Sequence, residues 1–248
     1  MEGLKNKVKN MVVVLFNRLS EKDKSDAIKR IIKESTPDQD FFLMIILSIL
    51  MATFGLLIDN TAVIIGSMLI APLLSPILGL SLGVVMADHM LIARSFYTVI
   101  KSLAYGIFGA AIVTLLFSSN YHDTTEIVSR TEPSMIYAAI AVVAGLAASF
   151  AIAVPEVSPT LPGVAIAVAL IPPIAVTGIG VARFDWNIIS NSFLLFALNT
   201  AGIVFSSMVI FSLMNLYVKR TVVASAVKKE DEIVQKEIEE SKKIAEGN

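Results

Sequence analysis

Apolar runs of membrane length recur along this chain, separated by short polar turns and bounded by charged ends. Six runs, at 41–58, 61–87, 97–117, 134–154, 161–182 and 187–218, are long enough or nearly so to cross about 30 Å of hydrocarbon as helices, which satisfy their backbone polar groups internally. The pattern predicts an all-α fold, a polytopic membrane helical bundle with six transmembrane helices. The first run has a legible start: Thr36, Pro37 and Gln39 supply an N-cap, a proline at the first helical position and an amide at the third, the capping-box arrangement. Lys101 falls one turn into the third run, where its stem can snorkel to the interface. The sixth run is long for one crossing and is expected to tilt or to project.

The polar ends carry their own periodicity. In residues 1–40, Leu4, Val8, Met11 and Leu15 recur at helical spacing among lysines, an amphipathic arm suited to the cytoplasmic leaflet or to the bundle. In residues 219–248 and just before them, Leu216, Val227 and Ile238 recur every eleven residues, as do Val223, Val234 and Ala245. That is the repeat of a nearly straight helix, whose apolar stripe predicts a homo-oligomer closed by symmetry; the alternatives are a solvated tail of accidental regularity or a helix folded back onto the arm around Val8 and Met11.

Lysine and arginine set the expected topology, because they concentrate on the cytoplasmic side. With the N-terminus inside, the nine basic residues before Phe41, then Arg94 and Lys101, then the seven from Lys219 onward fall inside, and Arg130 and Arg183 fall outside. The chain is therefore expected in the cell membrane, multi-pass, with both termini cytoplasmic and external connections at 59–60, 118–133 and 183–185.

The second and fifth runs resemble each other. Gly66 to Gly79 can be laid over Ile166 to Gly178 with Pro72 and Pro172 in register. The membrane segment 41–218 then divides into units of three spans, about 41–117 and 134–218; three is odd, so the second unit enters from the opposite face, an inverted repeat. Pro72 and Pro76 lie mid-span in the second helix, Pro172 and Pro173 in the fifth. A proline removes one intrahelical hydrogen bond and clashes with the carbonyl four residues back, so both helices are expected to be broken, with the freed carbonyls turned toward protein, water or a polar cavity. Ala71, Ser75, Leu170 and Thr177, beside Pro72, Pro76, Pro172 and Pro173, are the candidate lining of a site near the midplane, as in transporters with discontinuous helices. Packing kinks are the plainer alternative.

Other polar residues in the apolar block are candidates because their burial there is costly. Asp59, next to Asn60, ends the first span, and Glu156 follows the fourth at a comparable turn on the opposite face. They could place a carboxylate at each mouth of an ion pathway, or cap the next helices. Asn199, within the sixth span, could hydrogen-bond across helices or contact a ligand. Small residues four apart at Gly79/Gly83, Gly106/Ala110, Ala144/Ala148 and Gly202/Ser206 permit close approach of helices, within one chain or between copies.

Composition narrows the function. Apolar residues make up 55% and charged residues 17%, against about 25% charged in soluble domains, so the lipid bilayer is the expected partner. A net charge of −1 gives no case for nucleic acid. There is no cysteine for disulfides or thiolate chemistry, and His89 and His122 stand alone in turns, without the spacing of a metal site. No phosphate loop or nucleophile elbow is present, and neither Asp59 nor Glu156 has a second catalytic group at a telling spacing. No enzyme activity, metal or cofactor is expected.

The stretch from Ile58 to Ile77, with its Ser67-Met68-Leu69-Ile70-Ala71-Pro72 element, and Gly163 to Pro173 with its paired prolines, resemble a family of archaeal and bacterial hydrophobic membrane proteins numbered 389 among domains of unknown function. The resemblance spans about residues 40–218 and implies a multi-pass prokaryotic membrane protein; it supplies no activity. The expected function is a passive pore or an ion-coupled secondary transporter for a small solute or ion, moved by the two repeats in alternation. The alternative is a non-transporting scaffold or sensor that assembles through its cytoplasmic ends.

Overall fold

The computed structural model describes residues 20–36, 38–117, 123–154, 160–216, 225–229 and 232–233; for 39, 153 and 160–168 only the backbone is described. Helices named here are α1 Glu21–Glu34, α2 Gln39–Leu57, α3 Thr61–Ile70, α4 Leu74–Met86, α5 His89–Phe117, α6 Thr125–Ser129, α7 Met135–Ala153, α8 Thr160–Arg183 and α9 Trp186–Leu213. No strand occurs among the described residues. By length and apolarity, α2, α5, α7 and α9 can each cross a membrane, and α3 with α4, bent by 54°, makes a fifth crossing if the pair counts as one. In α8 the apolar part with described side chains is the shorter stretch Ala169–Arg183. The protein is thus a helical membrane bundle with four or five candidate spans, coarser than the six expected.

Burial fits a lipid surround. Each long helix turns one face inward, with Ile45, Ile49, Ala110, Ile174, Ile179 and Ile203 in a common core. The opposite faces carry large apolar side chains in the open, among them Phe108, Leu116, Ile136 and Phe205, each about two thirds exposed or more. A belt of that kind would be anomalous facing water.

Three tight helix–helix connections share one design. A glycine (Gly55, Gly83, Gly180) is followed four residues later by a left-handed residue (Asp59, Ala87, Phe184; φ 52–55°). The next residue (Asn60, Asp88, Asp185) donates its N–H back to the glycine carbonyl at 2.8–3.0 Å, as in a Schellman stop, and its side chain caps the following helix. The glycine is required because a Cβ there would sit 3.0 Å from the backbone N of Ile64, Ile92 or Ile189 on the next helix.

The expected external connections lie at one end of the bundle, joined by hydrogen bonds. Thr124 Oγ1 donates to Leu56 O (2.8 Å), Thr61 Oγ1 to Glu126 Oε1 (2.6 Å), and Arg183 Nη1 to Asp123 Oδ1 (2.8 Å). At the other end, Ile28, Ile31 and Ile32 of α1 pack with Leu78, Leu82 and Met86 of α4, Ile152 of α7, Phe211 of α9, and Met214, Leu216 and Val227 beyond it. Leu216 and Val227, two positions of the eleven-residue stripe, are therefore covered within their own chain; Val223, Val234, Ile238 and Ala245 lie outside the described residues, as does the arm around Leu4, Val8, Met11 and Leu15.

Other boundaries shift for local reasons. Helix α1 starts on a capping box: Ser20 Oγ accepts from Asp23 N, and the Asp23 carboxylate accepts from Ser20 N. The Ser20 hydroxyl and backbone N–H hold Asp23 below the ordinary carboxylate range. Helix α2 is capped by Asp38, which accepts from Phe41 N at 2.7 Å, and not by Thr36, whose hydroxyl donates back to Ile32 O at the end of α1; Pro37 lies outside the described residues. Helix α5 begins at His89, so Lys101 sits three turns in. Its Nζ lies 4.2 Å from the Phe42 ring centroid, with the Tyr97 and Tyr105 rings at 5.9 and 5.6 Å, an aromatic seat that offsets part of the cost of desolvating the charge. The small residues pack within the chain: a Cβ on Gly106 would meet Ile174 of α8, and one on Gly145 would meet Ile203 of α9.

Candidate functional site

The two proline sites behave differently. Ahead of Pro72, Ala71 is extended (φ −73°, ψ 119°) and ends α3, as the residue before a proline prefers, and α4 resumes after Leu73 at the 54° bend. The last carbonyls of α3 have no intrahelical partner; Ser48 Oγ of α2 donates to one of them, Ser67 O, at 2.8 Å. The fifth helix, expected to be broken, is continuous: α8 runs through Pro172 and Pro173 without interruption. Pro173 leaves Ala169 O without its usual donor, and Asn199 Nδ2 of α9 replaces that donor at 2.7 Å. A neighbouring side chain thus supplies the bond that the proline removes, and the helix persists.

Asn199 belongs to a polar seam. Ser192, Asn199 and Ser206 follow each other at seven-residue spacing on α9, which keeps one face of a helix, and all three are buried. They extend over about 21 Å at 1.5 Å per residue. Toward the α6 end, Thr177 Oγ1 lies 2.7 Å from Pro173 O and 2.9 Å from Ser192 Oγ. Toward the α1 end, Ser149 of α7 lies 2.7 Å from Ser207 Oγ. Every hydroxyl in this row has a bond, whereas Asn199 Oδ1 is buried with no hydrogen-bond partner among the described residues. An amide oxygen left this way in a core costs about 1–3 kcal/mol.

Asn199 lines a small cavity of about 70 Å3 together with Ala169, Pro173, Leu195, Ile140, Tyr137 and Arg130. That is room for a few water molecules. Arg130, just past α6, is less than a fifth exposed and pairs with Glu126 at 3.3 Å. The cavity therefore joins a paired ion at the rim of the bundle to the proline turn of α8.

The family described as "Domain of unknown function (DUF389)" matches residues 68–205, more than half of the chain. The chain belongs to the DUF389 family. It is also 32% identical, over 207 residues, to the uncharacterized protein MJ0678 of Methanocaldococcus jannaschii. The match covers 78% of this chain and 63% of that protein, so the chain spans less than two thirds of that relative's length. No solved structure matches.

Within this DUF389 protein, the candidates drawn from the sequence do not form one group. Pro173, Thr177 and Asn199 meet at the α8–α9 contact, and Leu170 and Pro172 are buried beside them on α8. Ala71, Pro72, Ser75 and Pro76 lie at the break between α3 and α4. There Ser75 faces α1: its hydroxyl donates to Glu34 Oε2 at 3.2 Å, and Ser35 Oγ lies 2.6 Å from Ser75 O. Asp59 and Asn60 are exposed; Asp59 Oδ1 accepts from Glu126 N and Asn60 Oδ1 from Val63 N, which is capping chemistry, and both precede the matched family segment. Glu156 lies outside the described residues. Tyr137, Ser48 and Ser192 do not stand out in the pattern; Arg130 enters there only as an external charge and Ser206 only as a small packing residue. The seven-residue spacing around Asn199 was the available signal for two of them.

Proposed function

We propose that this protein is a secondary transporter or channel for a small solute or ion, moved along the polar seam of α9 past the prolines of α8. The observation that carries the proposal is the unpartnered Asn199 oxygen beside a cavity of about 70 Å3. A buried acceptor next to a chain of hydroxyls suits a dehydrated ion or a solute of a few heavy atoms, and the size excludes nucleotides and sugars from this pocket as it stands. In this reading the bundle crosses the membrane six times, α8 being 24 residues long. Matched packing supports reading the two units as inverted repeats: α2 packs on α5 as α7 packs on α9, and α5 packs on α8 as α9 packs on α4. Both termini are cytoplasmic by the excess of Lys and Arg at the ends.

Two experiments bear on the proposal. Purified protein in liposomes is expected to carry at least one species in a screen of protons, Na+, K+ and small anions; no flux for any of them overturns the transport reading. The chain has no native cysteine, so single cysteines report topology cleanly. Asp123→Cys is expected to react with an impermeant thiol reagent from outside, and Glu232→Cys only after lysis; reaction of both from outside overturns the six-crossing arrangement.

A sensor reading draws support from one contact, that of Glu34 and Ser35 with Ser75, which couples α1 to the break between α3 and α4.

A further inference from the structure

At the end of the bundle where α1 packs, a cavity of about 720 Å3 is lined by Lys29, Arg30, Lys33 and Glu34 of α1 and by Ser225, Ala226 and Lys229 from beyond α9. Two segments almost two hundred residues apart in sequence bring four cations and one carboxylate together here. Glu34 is already engaged, accepting from Arg30 Nε at 2.9 Å and from Ser75 Oγ at 3.2 Å. The net charge left facing the cavity is that of Lys29, Lys33 and Lys229, and no salt bridge to any of the three occurs among the described residues.

The convergence is built into the fold. Helix α1 turns Ile28, Ile31 and Ile32 into the core with α4, which fixes the direction of Lys29, Arg30 and Lys33, and Val227 is buried in the same cluster, which fixes Lys229. Like charges held close repel unless an anion sits among them. The site also lies where α4, α7 and α9 end, at the level of one membrane surface, where lipid phosphates and the anionic surface potential reside. Lysine is a strong point-charge ligand for phosphate, and arginine adds donors in a fixed plane.

We propose that this cavity is a binding site for a phosphate group, held by Lys29, Arg30, Lys33 and Lys229 and bridging α1 to the segment after α9. The phosphate is that of an anionic phospholipid headgroup or of a soluble phosphate compound, and two arms separate these sources. In the first, purified protein is exposed to phosphatidylglycerol and, separately, to phosphatidylcholine in detergent, and retained lipid is read by native mass spectrometry. In the second, lipid-free micelles of the protein are titrated with inorganic pyrophosphate in a calorimeter.

Each arm compares the native protein with the double variant Lys29→Gln/Lys229→Gln and with the charge-matched control Lys22→Gln/Lys228→Gln, whose side chains do not line the cavity. The expected result is binding in at least one arm, weakened about thirtyfold by the cavity variant, the factor for two surface cations, and nearly unchanged in the control. Retention of phosphatidylglycerol alone assigns the lipid, and a pyrophosphate isotherm assigns the soluble source. Binding in neither arm, or equal weakening by both double variants, overturns the site. An unchanged overall helical spectrum by circular dichroism, with an unchanged thermal midpoint, shows that the variant is folded in either case.

Discussion

Gly178→Ala is expected to destabilise the protein by about 1–3 kcal/mol, the usual cost of overpacking a fitted core, although alanine is the better helix former by about 1 kcal/mol. The added Cβ would lie 2.5 Å from Ala110 Cβ and 2.6 Å from Ile107 O on α5. One of these neighbours is backbone, so no rotamer change relieves the contact and α8 must move off α5. Gly109→Ala is the matched control: on the same helix pair's α5, its Cβ meets only Leu50 Cδ2, at 3.6 Å. Thermal unfolding in detergent should therefore fall for the first variant and hold or rise for the second. Equal midpoints for the two would show that α5 and α8 do not approach as closely as described.

Asn199→Leu is expected to lower flux about tenfold while leaving the protein folded. Leucine fills nearly the same space and removes both polar atoms. The loss of the Oδ1 acceptor takes away one hydrogen bond to the permeating species, worth about 1.4 kcal/mol, or a factor of ten. The loss of the Nδ2 donor strands Ala169 O beside Pro173 at a cost of about 1–3 kcal/mol in stability. The double variant Asn199→Leu/Pro173→Ala restores a backbone N–H for that carbonyl. It should recover thermal stability and leave flux low, which separates the two roles of one side chain. Full flux in the single variant would remove Asn199 from the pathway.

Much of the bundle was legible because lipid exposure forces long apolar runs. The starts of α3, α7 and α9 fall at or within one residue of the expected positions, and the prolines at 72 and 173 marked two real discontinuities in hydrogen bonding. The fate of each discontinuity was not legible. Whether a proline bends a helix depends on what neighbouring helices offer the freed carbonyl, and Asn199 meets Ala169 from thirty residues away in sequence, a distance no local pattern encodes. Helix α1 was hidden by its polarity, although Ser20-x-x-Asp23 ahead of Ala27, Ile28, Ile31 and Ile32 is a capped amphipathic helix in plain view. The eleven-residue stripe predicts a second copy or a fold-back onto the arm around Val8 and Met11; that Val227 instead joins Ile28, Ile31 and Ile32 of α1 is a long-range contact which no spacing in the sequence encodes. Asp59 stood out as an ionisable residue at a span's edge; its hydrogen bond to Glu126 N depends on α6, which was too short to register as an element.

The most direct test is the reactivity of a single thiol at the centre of the seam. With no native cysteine in the chain, Asn199→Cys in liposomes can be treated with small charged methanethiosulfonates from either side while flux is recorded. A water-accessible pathway predicts modification from at least one side, with flux falling in step with the extent of labelling measured by mass spectrometry. Complete protection of the thiol from both sides, alongside intact flux, would contradict a transport route past Asn199 and the prolines of α8.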